Sequence, residues 1–161
     1  MLQHTMRAIK LKKSDLKNRT ATDLLARTIY GEAEGESEEG KRGVAWVVRN
    51  RVAYDGEWGS TYKDAILKGG FVGLSSSRGL SSDTSSDAWK VSLSIAKGIK
   101  DDSTDDNPIG TCLWFNTNTY YNSVTKKNGG KYSFGGSKTY KVVEKVVIEN
   151  HTFFRVEGYN L

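Results

Sequence analysis

The chain has 161 residues, 37% of them hydrophobic and 27% charged, with one proline and one cysteine. That is material for one compact domain; it excludes a second full domain, disorder of the whole chain and, with no run near the roughly 20 apolar residues a membrane span requires, a spanning helix. Six basic residues against Asp15 within residues 1–20 account for the whole formal charge of +5, so residues 1–20 read as a basic arm and residues 21–161 as a neutral domain.

Thr22 is an N-cap candidate for a first helix, Asp23 to Tyr30, in which Leu24, Leu25, Thr28 and Ile29 recur at helical spacing and Gly31 ends the run. Ser37, followed by Glu38 and Glu39, opens a second helix that runs through Tyr54. Val44, Val47, Val48 and Val52 on one face follow a period of 3.6, which outweighs the strand preference of valine. Thr61 and Asp64 read as a capping box for Tyr62 to Lys68, with Gly69 and Gly70 closing it. Residues 71–86 are rich in serine and glycine and read as a loop long enough to be functional. A further helix runs from about Ser86 to Lys100, with Ala88, Val91, Ile95 and Ile99 on one face.

Past Pro108 the pattern changes to extended runs at Cys112 to Thr117, Lys141 to Glu149 and Thr152 to Glu157, the last two forming a hairpin around Asn150 and His151. The Gly-, Lys-, Asn- and Tyr-rich stretch from Asn118 to Thr139 between them reads as another exposed loop. Helices first and strands later, without alternation, make the fold α+β, with N-terminal helices followed by a short antiparallel sheet. Cys112 lies in an apolar run and reads as a buried structural thiol.

Several chemistries do not fit the residues present. Gly35 to Lys41 spells the opening of a phosphate-binding loop, but Arg42 stands where Ser or Thr belongs, no strand precedes it, and Glu36, Glu38 and Glu39 would repel phosphate. His4 and His151 make no zinc pattern, and the run from Asp101 to Asp106 lacks the glycine and terminal glutamate of a calcium loop. No nucleophile elbow is present. No metal and no cofactor are therefore expected. The basic arm has no aromatic-interleaved basic stripe to extend it, which argues against nucleic-acid binding.

What remains is the carboxylate cluster Gly31-Glu32-Ala33-Glu34-Gly35-Glu36 at the end of an apolar helix. Loss of solvation and neighbouring negative charge both raise a carboxyl pKa, and a protonated glutamic acid is the donor that cleavage of a glycosidic bond requires. Trp114, Phe115, Asn116, Asn118, Tyr120, Tyr121 and Asn122 supply the aromatic and amide groups of a sugar cleft.

The run from Leu25 to Glu36, then Glu39-Gly40 and Val44 to Val52 with its Asn50-Arg51-Val52 ending, resembles the spore cortex-lytic type of cell wall hydrolase. Asn107-Pro108-Ile109-Gly110, Trp114-Phe115-Asn116 and Ile148 to Phe154 continue the resemblance in order, over about residues 22–157. It implies a small lysozyme-like domain that cleaves peptidoglycan between N-acetylmuramic acid and N-acetylglucosamine, generally as a lytic transglycosylase. Glu32 matches the family's catalytic glutamate. Glu36 matches a second motif glutamate, which holds either substrate or the loop itself. Phe71, Trp114, Asn116 and Tyr120 are expected on substrate, although Gly70-Phe71-Val72 departs from the family's glutamine-phenylalanine-serine element. Asn50 and Arg51 read as structural anchors. Glu34 replaces the usual arginine, and its charge is expected to raise the Glu32 pKa further.

The N-terminus has no apolar block of signal-peptide type, so the expectation is synthesis in the cytoplasm and action on the wall after phage-type lysis or on the spore cortex. Glycan strands are the expected partner, with anionic wall polymers attracted by the arm, no nucleic acid, no membrane span and a monomeric state. A non-catalytic peptidoglycan-binding or structural module is the alternative of a different class.

Overall fold

The computed structural model describes residues 10–104 and 106–161; His4 and Arg7, in the first half of the basic segment, lie outside them. The second half is seated on the domain. Leu11 and Leu16 are buried in the core, Leu16 within a 3₁₀ turn, Lys13–Asn18. The Leu11 amide donates to the Leu80 carbonyl at 2.9 Å.

Among the described residues six helices and three strands follow: α1 Ala21–Ala33, α2 Glu38–Tyr54, α3 Tyr62–Leu67, α4 Ser77–Leu80, α5 Asp87–Lys100, β1 Trp114–Thr117, α6 Asn118–Lys127, β2 Val142–Ile148 and β3 His151–Val156. Helix α1 starts earlier than Thr22 predicts, because the Thr20 hydroxyl is the cap and accepts the Asp23 amide at 3.1 Å. It also runs past Gly31, a glycine required by a close backbone approach described below and not by a helix stop. The helix is central. It packs against α2, α3, α4 and α5, and Leu24, Leu25 and Ile29 are wholly buried, each contributing roughly 1.5–3 kcal/mol of hydrophobic stabilisation.

Ser37 caps α2 as expected, accepting the Gly40 amide at 3.1 Å. The buried Lys41 turns back and donates through Nζ to the Glu34 carbonyl at 2.9 Å and to the Glu36 carbonyl. These are orphan acceptors at and beyond the end of α1. Thr61 caps α3 and Ser86 caps α5. The serine-rich segment between them carries the short α4, capped by Ser76.

The sheet is antiparallel in the order β1-β3-β2. Central β3 is buried along most of its length, and Phe153 presses against α2 where Gly43 leaves room; a Cβ there would lie 2.6 Å from the ring. The hairpin turn falls at Glu149 and Asn150, with Glu149 at a φ of 49°, so His151 belongs to β3 and pairs across to Thr117 and Ile148. The expected turn at Asn150 and His151 is thus displaced by one residue.

The expected loop from Asn118 to Thr139 begins instead with helix α6. Thr117 caps it, accepting the Tyr120 amide at 3.2 Å. Only Tyr121 is buried along it, stacked on Tyr132 and tilted against Phe154, and the polar composition of the segment hides that one apolar face. Cys112 is buried and unpaired, its thiol pushed up to about 12 mainly by burial. No helix among the described residues is long and apolar enough to cross a membrane.

Candidate active site

Glu32 lies in the last turn of α1, and its placement starts from two glycines. The backbones of Gly31 and Gly73 touch: a Cβ on Gly73 would lie 2.5 Å from the Gly31 carbonyl carbon and 2.7 Å from the Glu32 amide nitrogen. This approach brings the Gly73 N–H to Glu32 Oε1 at 2.8 Å. Burial pushes the Glu32 pKa above the ordinary glutamate range, and the Gly73 hydrogen bond offsets part of that rise. The expected help from Glu34 is not what raises it. Glu34 is paired with Arg78 at 2.7 Å, and desolvation is the leading cause at Glu32.

Glu32 opens into a cleft of about 340 Å³. One wall is the Gly69–Val72 segment ahead of α4; the other is β1 with Tyr132 and Phe134; His151 and Phe154 of β3 lie between. Phe71 and Phe115 stack across it with ring centroids 6.3 Å apart. Trp114 is packed by Phe134 at 5.0 Å and by Phe154 at 5.8 Å. Asn116 donates to the Tyr132 hydroxyl, which burial pushes up to about 12.

The walls are tied together from α2. Arg51 donates from Nε to the Leu113 carbonyl at 2.8 Å and from Nη1 to the Gly69 carbonyl at 3.0 Å, so one guanidinium spans both sides of the cleft. Burial pushes it down to about 10, still cationic at neutral pH, and it lies over Trp58 and Phe71. Asn50 donates to the Gly110 and Cys112 carbonyls at 2.9 and 3.0 Å. Both residues are the anchors their sequence context suggests, and Arg51 also lines the cleft.

Of the residues singled out from sequence, the fold brings Glu32, Phe71, Trp114, Phe115 and Asn116 into this cleft. Tyr120 stands beside it, exposed, in a second hollow of about 510 Å³ that shares Asn116, Thr117, Tyr132 and Phe134 with the first. The two hollows lie on either side of these shared aromatic and amide groups. Glu36 does not line the cleft; it lies against His151, with Oε1 3.5 Å from Nδ1. Thr117, Tyr132, Phe134 and His151 are lining residues that the sequence reading did not assign. For His151 the available signal was its same-side spacing with Phe153 along a strand, which the displaced turn concealed.

Glu32 is the sole carboxylate among the lining residues, and among the described residues no group of three His, Cys, Asp or Glu side chains could hold a metal ion. The arrangement suits proton donation from a desolvated carboxylic acid to a substrate lying along an aromatic trough.

A sequence model described as cell wall hydrolase matches residues 35–154, about three quarters of the chain. Neither curated proteins nor solved structures gave a match. The matched segment includes every cleft residue named above except Glu32, which lies three positions before it. The chain belongs to the cell wall hydrolase family.

Proposed function

We propose that this member of the cell wall hydrolase family cleaves the bond between N-acetylmuramic acid and N-acetylglucosamine as a lytic transglycosylase, with Glu32 as its acid and base. The observation that carries the reading is a single desolvated carboxyl, tied to the Gly73 amide, in a cleft without a second carboxylate among its lining residues. A hydrolase of the two-carboxylate type would need a partner about 5–9.5 Å away.

In this mechanism protonated Glu32 gives its proton to the bridging oxygen as the bond from that oxygen to the muramic anomeric carbon breaks. Positive charge develops on the anomeric carbon and ring oxygen. The C6 hydroxyl of the same sugar then bonds to the anomeric carbon, and its proton passes to the Glu32 carboxylate, restoring the acid. No water is consumed, and the product is a 1,6-anhydro sugar. Trp114 and Phe71 offer apolar faces to sugar rings, Asn116 an amide, and Tyr120 extends the surface to the next residue of the strand. The exposed lysines between Lys10 and Lys17 add attraction for anionic wall polymers. Changing them to glutamine is expected to weaken wall binding at low salt and to leave binding at high salt unchanged.

Mass spectrometry of fragments released from purified peptidoglycan and from decoated spores tests the assignment, with Glu32→Gln alongside. Fragments lighter by one water, absent with Glu32→Gln, are expected. Hydrated reducing ends would overturn the transglycosylase assignment. No release from either substrate would leave a binding module in its place. Whichever substrate is cleaved distinguishes a vegetative-wall setting, as in phage lysis, from the spore cortex.

A further inference from the structure

The cleft holds an ionisable group opposite in chemistry to Glu32: His151, the first residue of β3. Its side chain is 9% exposed, and its ring stands edge-on to Phe115 and Phe153 at 5.4 and 6.2 Å. Nδ1 is buried without a hydrogen-bond partner and faces Glu36 Oε1 at 3.5 Å. Glu36 is also nearly enclosed, its side chain 10% exposed and its Oε2 without a partner. A carboxylate facing one ring nitrogen keeps the proton on that nitrogen and leaves the other as an acceptor. Since Nδ1 is buried and His151 lines the cleft, the edge that meets the cleft is the one bearing Nε2.

We infer that His151 contacts substrate: with Nδ1–H held toward Glu36, Nε2 accepts a hydrogen bond from a sugar hydroxyl or acetamido N–H beside the cleaved bond. Glu36 is then a positioning residue that acts through His151, which accounts for a motif glutamate outside the cleft. The inference rests on the reading of the cleft as a peptidoglycan site.

The charged groups around the ring set its pH response. Glu36 faces it from the α1–α2 connection. Glu149, in the β2–β3 turn, accepts the Ser37 N–H at 3.3 Å and adds a second carboxylate on this side. Lys41 of α2 binds the Glu36 carbonyl. Glu32 of α1 and Arg51 of α2 line the same cleft. Burial holds the imidazole below its ordinary pKa while the Glu36 charge works in the opposite direction. At neutral pH the ring is the acceptor form; protonation at lower pH turns Nε2 into a donor and removes the contact.

Two measurements test this on the full chain. Nitrogen-15 NMR at neutral pH is expected to find the His151 proton on Nδ1; with His4 the one other histidine, His4→Gln makes the assignment. A proton on Nε2 would overturn the inference without any assay of activity. The second measurement is fragment release as a function of pH. Glu36→Gln is expected to lower kcat/KM about tenfold and to move the acid limb to lower pH, because removing the carboxylate lowers the imidazole pKa. Glu36→Asp is expected to recover part of the loss. His151→Gln, which keeps an acceptor oxygen, should retain more activity than His151→Phe and lack the acid limb. Uniform loss at every pH, with the limb unmoved in Glu36→Gln, would make the pair a packing contact and sink the proposal. Failure of the wild-type protein to release fragments counts against the peptidoglycan reading, while the NMR result still decides the tautomer.

Discussion

The two halves of this molecule are built from different side chains and bring different things to the cleft. The centre of the helical half is aliphatic, with Leu24, Leu25, Ile29, Val44, Val47 and Val48 wholly buried around α1 and Tyr30, Trp46 and Trp89 buried in the same cluster, and from this packing a single carboxyl emerges at the helix end. The sheet half is aromatic: Trp114, Tyr121, Tyr132, Phe134 and Phe154 stack on one another around β1 and β3, and this side supplies broad faces. Aliphatic packing places one atom group and removes its water; aromatic packing leaves ring faces and edges for a long substrate. Glu32 and Glu36, four residues apart, illustrate the contrast. The first is set by the helical half through Gly73, and the second is turned toward the sheet half through His151.

The largest expected effect falls on the helical side. Glu32→Gln should lower kcat about 10²–10⁴-fold while leaving wall binding intact, measured by fragment release and by pelleting with insoluble wall. The same variant sharpens the account of desolvation. Because the Glu32 pKa is raised in the fold, its contribution to stability is fully present below the unfolded pKa and lost as pH rises through the folded one. Glu32→Gln should therefore melt at a higher Tm than wild type at pH 8, and the difference should shrink at pH 4. Activity of the wild type should likewise fall on the alkaline side through the raised Glu32 pKa, above the ordinary glutamate range.

Gly73→Ala attacks the positioning of the same acid. A Cβ against the Gly31 backbone has only main chain to displace, so a stability loss of roughly 1–3 kcal/mol is expected by thermal or urea unfolding, with activity lost in the protein that still folds. Asn50→Ala leaves the Gly110 and Cys112 carbonyls without its two hydrogen bonds and should cost about 1–3 kcal/mol. On the aromatic side, Tyr120→Ala removes one exposed face and should raise KM about fivefold with kcat nearly unchanged, in line with about 1 kcal/mol for a stacking contact. Glu34→Arg should be the smallest effect: with burial the leading cause at Glu32 and Glu34 paired with Arg78, the pH profile is expected to stay in place, although the loss of that pair is itself worth little at the surface.

Helix α2 was legible because Ser37, two acidic residues and four spaced valines are local signals that agree with one another. Helix α6 was not, because its ten residues are mostly polar with one buried side chain, and what holds them is Tyr121 against Tyr132 and Phe154. The carboxylate cluster stood out by chemistry, Trp114 and Asn116 by type, and Phe71 by its place in the family resemblance. The roles within it did not. Glu34 looked like the neighbour that would tune Glu32, yet its partner is Arg78, far along the chain. Gly31 looked like a helix stop, yet the helix runs on and the glycine serves a contact with residue 73.

By itself, then, the sequence determined the caps of α2 and α3, the placing of the main helices ahead of the hairpin, the neutral domain with its basic N-terminal segment, and the short list of side chains fit for sugar chemistry. These depend on caps and periods that act within about four residues. The tertiary structure alone decided that Glu32 is desolvated, that Glu36 stands behind His151, and that Arg51 joins both walls of the cleft. Solvation and hydrogen bonding are set by whichever segments come into contact: Glu32 meets the amide of Gly73 41 positions away, and no local pattern encodes that distance.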